Sequence, residues 1–92
     1  MEVNILAVGD VVSGGLGFLS RKLNTIKRHY NIHFTVVNGE NASGTGITPQ
    51  QADELFTCGA DVITLGNHTW ARREIENYLD DNRYIIRPAN YA

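Results

Sequence analysis

The chain has 92 residues, 42% of them apolar, with 8 basic and 10 acidic side chains and a formal net charge of -2. That composition can build the core of one domain, covering residues 1–92, and excludes a disordered chain. It lacks the basic footprint of a binder of nucleic-acid polymers or anionic membranes, and no stretch approaches the ~20 apolar residues of a membrane span. A small phosphate ester, which needs only a local positive site, stays compatible. The acidic opening Met1-Glu2-Val3-Asn4 does not read as a signal peptide, and the single Cys58 fits a reducing cytoplasm and a packing role.

Strand and helix patterns alternate along the chain. Residues 3–8 read as a strand, and the glycine run 13–17 as a flexible loop. Residues 18–29 read as a helix with Leu19, Leu23 and Ile26 on its buried face. A second strand is expected over 33–37 and a glycine-containing loop over 42–47. Thr48, Pro49 and Gln51 then form a helix-start signal with a capping box, and Gly59 stops that helix after Cys58. A third strand over 62–65 precedes a charged helix from Thr69 to about Leu79, with Trp70, Ile75, Tyr78 and Leu79 as buried positions. A short strand over 84–86 follows.

This order predicts an α/β fold, βαβαβαβ, with a mainly parallel sheet and flanking helices. Three helices can cover one face of four strands but not both. The other face calls for more chain, a second copy or another protein. The chain is therefore expected to be a partial domain.

Three apolar runs end in polar residues with a glycine close by: Gly9-Asp10, Asn38-Gly39-Glu40-Asn41 and Gly66-Asn67-His68. In a parallel sheet these lie on one edge, where ligands bind. Carboxylates, amides and an imidazole form a ligand set for Mn, Fe, Zn or Mg. Each residue also has a plain reading. Asp10 can be a turn or cap, Glu40 and Asn41 a solvated loop, Asn67 an Asx-turn residue and His68 a cap for the third helix. Three such endings in succession favour a metal site. Arg87 and Asn90 follow the fourth strand on the same edge, whereas His29 and His33 belong to the opposite end.

Other motifs fail. Gly14-Gly15-Leu16-Gly17 lacks dinucleotide-loop spacing, and neither a P-loop nor a G-x-S-x-G elbow occurs. Ser43-Gly44-Thr45-Gly46 reads as an anion nest or, more simply, a turn.

On Gly9-Asp10-Val11-Val12, the N-G-E-N run 38–41, G-N-H-T-W over 66–70 and Arg87-Pro88-Ala89-Asn90-Tyr91, the chain resembles the calcineurin-like metallophosphoesterases. The match is closest to their YmdB-like branch of bacterial cyclic-nucleotide phosphodiesterases. The resemblance spans essentially the whole chain. It implies the N-terminal half of an αββα metallophosphoesterase sandwich with two divalent metal ions. By that analogy Asp10 and Asn41 hold one metal, Glu40 bridges both, Asn67 holds the second, and His68 is the catalytic residue over the phosphate, as general acid or transition-state stabiliser. A bridging hydroxide would attack in line.

Two departures stand out. The family's remaining histidine ligands, including a G-H-x-H element, have no counterpart here, and Ala71 replaces a common acidic residue after Trp70. The expected function is a metal-dependent hydrolase of cyclic nucleotides or similar small phosphodiesters, incomplete in this chain and needing its missing half or a homo-oligomeric partner. The alternative is a truncated, non-catalytic α/β module that self-associates or binds a protein.

Overall fold

Four short strands and three helices alternate: β1 (Ile5–Val8), α1 (Ser13–His29), β2 (Phe34–Asn38), α2 (Pro49–Cys58), β3 (Val62–Thr64), α3 (Ile75–Asp81) and β4 (Ile85–Ile86). The computed structural model describes residues 2–67 and 74–88. The strands lie in the order β1-β2-β3-β4, and every neighbouring pair is parallel. With right-handed crossovers, strands laid down in this order put every connecting helix on the same face.

Burial follows from that arrangement. The register aligns Val37 with Ile63 and Ile63 with Ile85, and Thr35 and Val37 share a face because they are two residues apart on β2. All four are buried. Leu16, Leu19 and Leu23 of α1, Ala52 and Leu55 of α2 and Ile75 of α3 belong to the same core. The helices are also joined by polar contacts. Ser20 donates to Glu54 at 2.8 Å, and the Tyr78 hydroxyl donates to Asp53 at 2.8 Å. On the opposite face Ile5 is 63% exposed, Phe34 40% and Ile86 49%. The helices thus cover one side of the sheet, as the helix count requires.

The capping box at α2 forms as the sequence predicts. Gln51 N donates to Thr48 Oγ1 at 3.3 Å, and Thr48 N donates to Gln51 Oε1 at 3.0 Å. Gly59 ends the helix with φ 127°, a left-handed conformation that glycine takes without a Cβ clash.

Several element bounds differ from the expectations. The 13–17 segment is not a loop but the first turns of α1. Burial of Leu16, in line with Leu19 and Leu23, outweighs the roughly 1 kcal/mol that each helical glycine costs relative to alanine. β1 begins at Ile5 rather than residue 3, and β2 runs from Phe34 to Asn38. Helix α3 extends two residues past Leu79 to Asp81. Its expected start at Thr69, together with Trp70, Ala71, Arg72 and Arg73, lies outside the described residues.

Candidate metal centre

The carboxyl edge of the sheet is held together beyond the last residues of the strands. Val11 N donates to Asn38 O at 3.1 Å, which fastens the segment carrying Asp10 to the end of β2. Gly39 N donates to Thr64 O at 3.0 Å, joining the start of the Glu40 turn to the end of β3, and Leu65 N donates to Ile86 O at 2.9 Å. Strands in a sheet are about 4.8 Å apart, so the chain leaves β1 and β3 about 10 Å apart, with the Glu40 turn between them.

The turn itself is closed by local bonds. Glu40 N donates to Asn38 Oδ1 at 3.2 Å, Ala42 N to Gly39 O at 3.2 Å and Gly44 N to Asn41 O at 2.8 Å. Ala42 and Ile47 are fully buried and anchor the loop by its apolar members. Asp10 and Asn67 are exposed, whereas Glu40 and Asn41 are half-buried.

At Gly66 the chain leaving β3 meets the Glu40 turn. A Cβ built there would stand 2.6 Å from the Glu40 carboxyl carbon and 2.7 Å from its Oε2, so the Glu40 carboxylate occupies the space that any other residue at 66 would fill. Gly39 has a different neighbourhood. A Cβ there would meet Ile47 at 3.0 Å, Ile63 at 3.1 Å and Leu55 at 3.4 Å, all of them core side chains. The sequence suggests that Gly9, Gly39 and Gly66 are there to let the backbone turn. Among the described glycines, however, positive φ occurs at Gly44, Gly46 and Gly59. At 39 and 66 the missing Cβ makes room instead.

The four described donors, Asp10, Glu40, Asn41 and Asn67, offer carboxylate and amide oxygens, which suit hard divalent cations. The Gly66 cradle for Glu40 fits that chemistry, since it carries a carboxylate from β2 onto the end of β3, next to Asn67. Among the described residues no three His, Cys, Asp or Glu side chains gather into a metal-holding group. The described candidates are thus two carboxylates and two amides. His68 and Asn90 lie outside the described residues, and Arg87 is exposed beyond β4.

The histidines at the other end have structural positions. His33 Nδ1 accepts from Asn4 N at 2.9 Å, and His29 is exposed at the end of α1. Cys58 is buried, and burial, with the nearby Glu54 charge, pushes its thiol pKa up, as suits a packing residue rather than a nucleophile. One contributor is not evident from motif reading: Gln51, whose side chain also reaches Ala42 and Ser43. A capping box facing a polar loop at eight residues' remove is the only sequence trace of it.

A profile of the YmdB-like protein family matches residues 6–92. The chain belongs to the YmdB-like family. A 2',3'-cyclic-nucleotide 2'-phosphodiesterase of Bacillus subtilis (strain 168) is 44% identical over 91 residues, which cover 97% of this chain and 34% of that protein. Among solved structures, a novel phosphatase from Mycoplasma pneumoniae matches with a TM-score of 0.89 at 26% identity, covering 98% of this chain and 33% of its own. A hypothetical protein from Thermus thermophilus matches with a TM-score of 0.82 at 32% identity, covering 96% and 34%. The YmdB-like chain therefore spans about a third of the length of these relatives. No helix among its described residues is long and apolar enough to cross a membrane.

Proposed function

We propose that this chain supplies the cation-holding edge of a metal-dependent phosphodiesterase acting on cyclic nucleotides or similar small phosphodiesters, in the cytoplasm. Asp10, Glu40, Asn41 and Asn67 are its metal-holding residues, with Glu40 central because β2 lies between β1 and β3 in the sheet. The observation that carries this reading is the Glu40 carboxylate seated on Gly66. The Bacillus subtilis relative's activity on 2',3'-cyclic nucleotides suggests the substrate class.

Two divalent cations held there would neutralise phosphate oxygens and lower the pKa of bound water. The chain's own residues have separate tasks. Glu40 and Asp10 bring negative charge that draws cations to an edge whose other described donors, Asn41 and Asn67, are neutral. The amide oxygens of Asn41 and Asn67 add ligation without further charge, so the site keeps a net attraction for an anionic phosphodiester once loaded. His68, one residue after Asn67, is the proposed proton donor to the leaving oxygen as the P–O bond breaks. The family's histidine ligands that this sequence lacks would come from the portion of the longer relatives that it does not span.

The test joins residues 1–92 to the remaining two thirds of the Bacillus subtilis relative and follows hydrolysis of a 2',3'-cyclic nucleotide with added Mn2+. The joined protein is expected to turn over only with metal. Glu40→Gln should lose metal and turnover together, while His68→Ala should keep metal and lose most of the rate. A folded Glu40→Gln protein with undiminished turnover refutes the reading.

A further inference from the structure

We propose that Gln51 is a positioning residue for the turn that carries Glu40 and Asn41, a role that rests on the metal-site reading above. Helix capping accounts for two of its hydrogen bonds, Gln51 N to Thr48 Oγ1 and Thr48 N to Gln51 Oε1. It does not account for the other two. The Ser43 hydroxyl donates to Gln51 Oε1, and Gln51 Nε2 donates to Ala42 O at 3.4 Å.

The amide is therefore used at both ends. Its oxygen accepts from the helix start and from Ser43, and its NH2 group donates to the peptide carbonyl that follows Asn41 by one residue. The neighbouring groups are also engaged. Asn41 O accepts from Gly44 N, Ala42 N donates to Gly39 O, and Ser43 N donates to Gly46 O at 3.0 Å. Every backbone group from Asn41 O to Ser43 N is thus bonded, and Gln51 ties this set to the rigid first turn of α2. A ligand turn fixed at one end by Gly39 N on Thr64 O and at the other by Gln51 has little freedom to carry Glu40 away from Gly66.

Glutamate separates the two roles. It completes a capping box as well as glutamine does, but it has no NH2 to give Ala42 O. Gln51→Glu also adds a negative charge near the turn, which by simple attraction would tighten cation binding. A fall in affinity therefore reports lost positioning.

The experiment takes residues 1–92 joined to the remaining two thirds of the Bacillus subtilis relative, and compares it with its Gln51→Glu and Gln51→Ala variants by amide hydrogen exchange and by Mn2+ titration. In Gln51→Glu the amides of α2 are expected to keep their protection. Those of Ala42 and Gly44 should exchange about tenfold faster, and Mn2+ affinity should fall by about tenfold. Gln51→Ala should lose protection in both places. If Gln51→Glu binds Mn2+ as tightly as the wild type, Gln51 is a helix cap only, and the positioning role is overturned while the metal site stands. If the joined protein with wild-type Gln51 takes up no Mn2+, both fall.

Discussion

The two edges of this sheet carry similar residue types and use them differently. At the amino edge the polar side chains close the backbone. Asp61 Oδ2 accepts from Thr35 N at 2.8 Å, His33 Nδ1 from Asn4 N at 2.9 Å, Asn31 O accepts from the Asn4 amide at 3.0 Å, and Gly59 O from Lys27 Nζ at 2.8 Å. At the carboxyl edge main-chain bonds join the strand ends, Val11 N to Asn38 O and Gly39 N to Thr64 O, and side chains act within the turn, where Asn38 Oδ1 accepts from Glu40 N and Gln51 Nε2 donates to Ala42 O. A polar residue at a strand end is thus informative only together with what its neighbours' main chains already satisfy.

The contrast is most open to attack at Gly66. Gly66→Ala forces the Glu40 carboxylate out of its seat. Because the clash is with the end of a flexible side chain, the fold should survive. Metal affinity should fall by about 100-fold, the upper range for disturbing a ligand's support, as read by Mn2+ titration. Unchanged affinity would mean that Glu40 does not need this position.

Gly39→Ala, at the same edge, should show the reverse. Its new methyl presses on Ile47, Ile63 and Leu55, and overpacking of this kind costs about 1–3 kcal/mol, measurable by urea denaturation. A Gly39→Ala chain as stable as the wild type would show that the core yields more than the contacts imply.

At the amino edge, Asp61→Ala removes the acceptor of Thr35 N and should cost about 1–3 kcal/mol. It should leave Mn2+ affinity untouched. Loss of metal binding in this variant, with the fold intact, would dissolve the distinction between the edges.

The smallest effect expected is at Tyr78, where desolvation and the Asp53 carboxylate push the phenol pKa from 10.0 up to about 12. The folded state then holds a proton that the unfolded state has released. The associated stability is fully present below pH 10 and is lost as pH rises towards about 12. Ultraviolet titration should show one tyrosine ionising late, and Tyr78→Phe should remove that step. If the late step persists, the contact of α3 with α2 through Tyr78 is wrong.

Much of this was legible in the residues. The Thr48, Pro49 and Gln51 signal and the Gly59 stop are local, and local chemistry decided them. The alternation of elements gave the parallel sheet, and counting helices against strands anticipated the bare face of Ile5, Phe34 and Ile86. The 13–17 segment misled because its glycines argue for a loop, whereas Leu16 is drawn into a core shared with residues far along the chain. The role of Gly66 was equally hidden, because its neighbour, Glu40, lies 26 positions away and meets it only across two strands. Gln51 was visible as a cap but not as a tie to Ala42, since no local rule pairs an N3 side chain with a carbonyl nine residues earlier.

The most direct test of the central claim is Mn2+ binding to residues 1–92 joined to the rest of the Bacillus subtilis relative, followed by electron paramagnetic resonance, for wild type and Glu40→Gln. The account predicts bound Mn2+ in the wild type and its loss in Glu40→Gln, with both proteins equally folded. Equal binding by the two would contradict it.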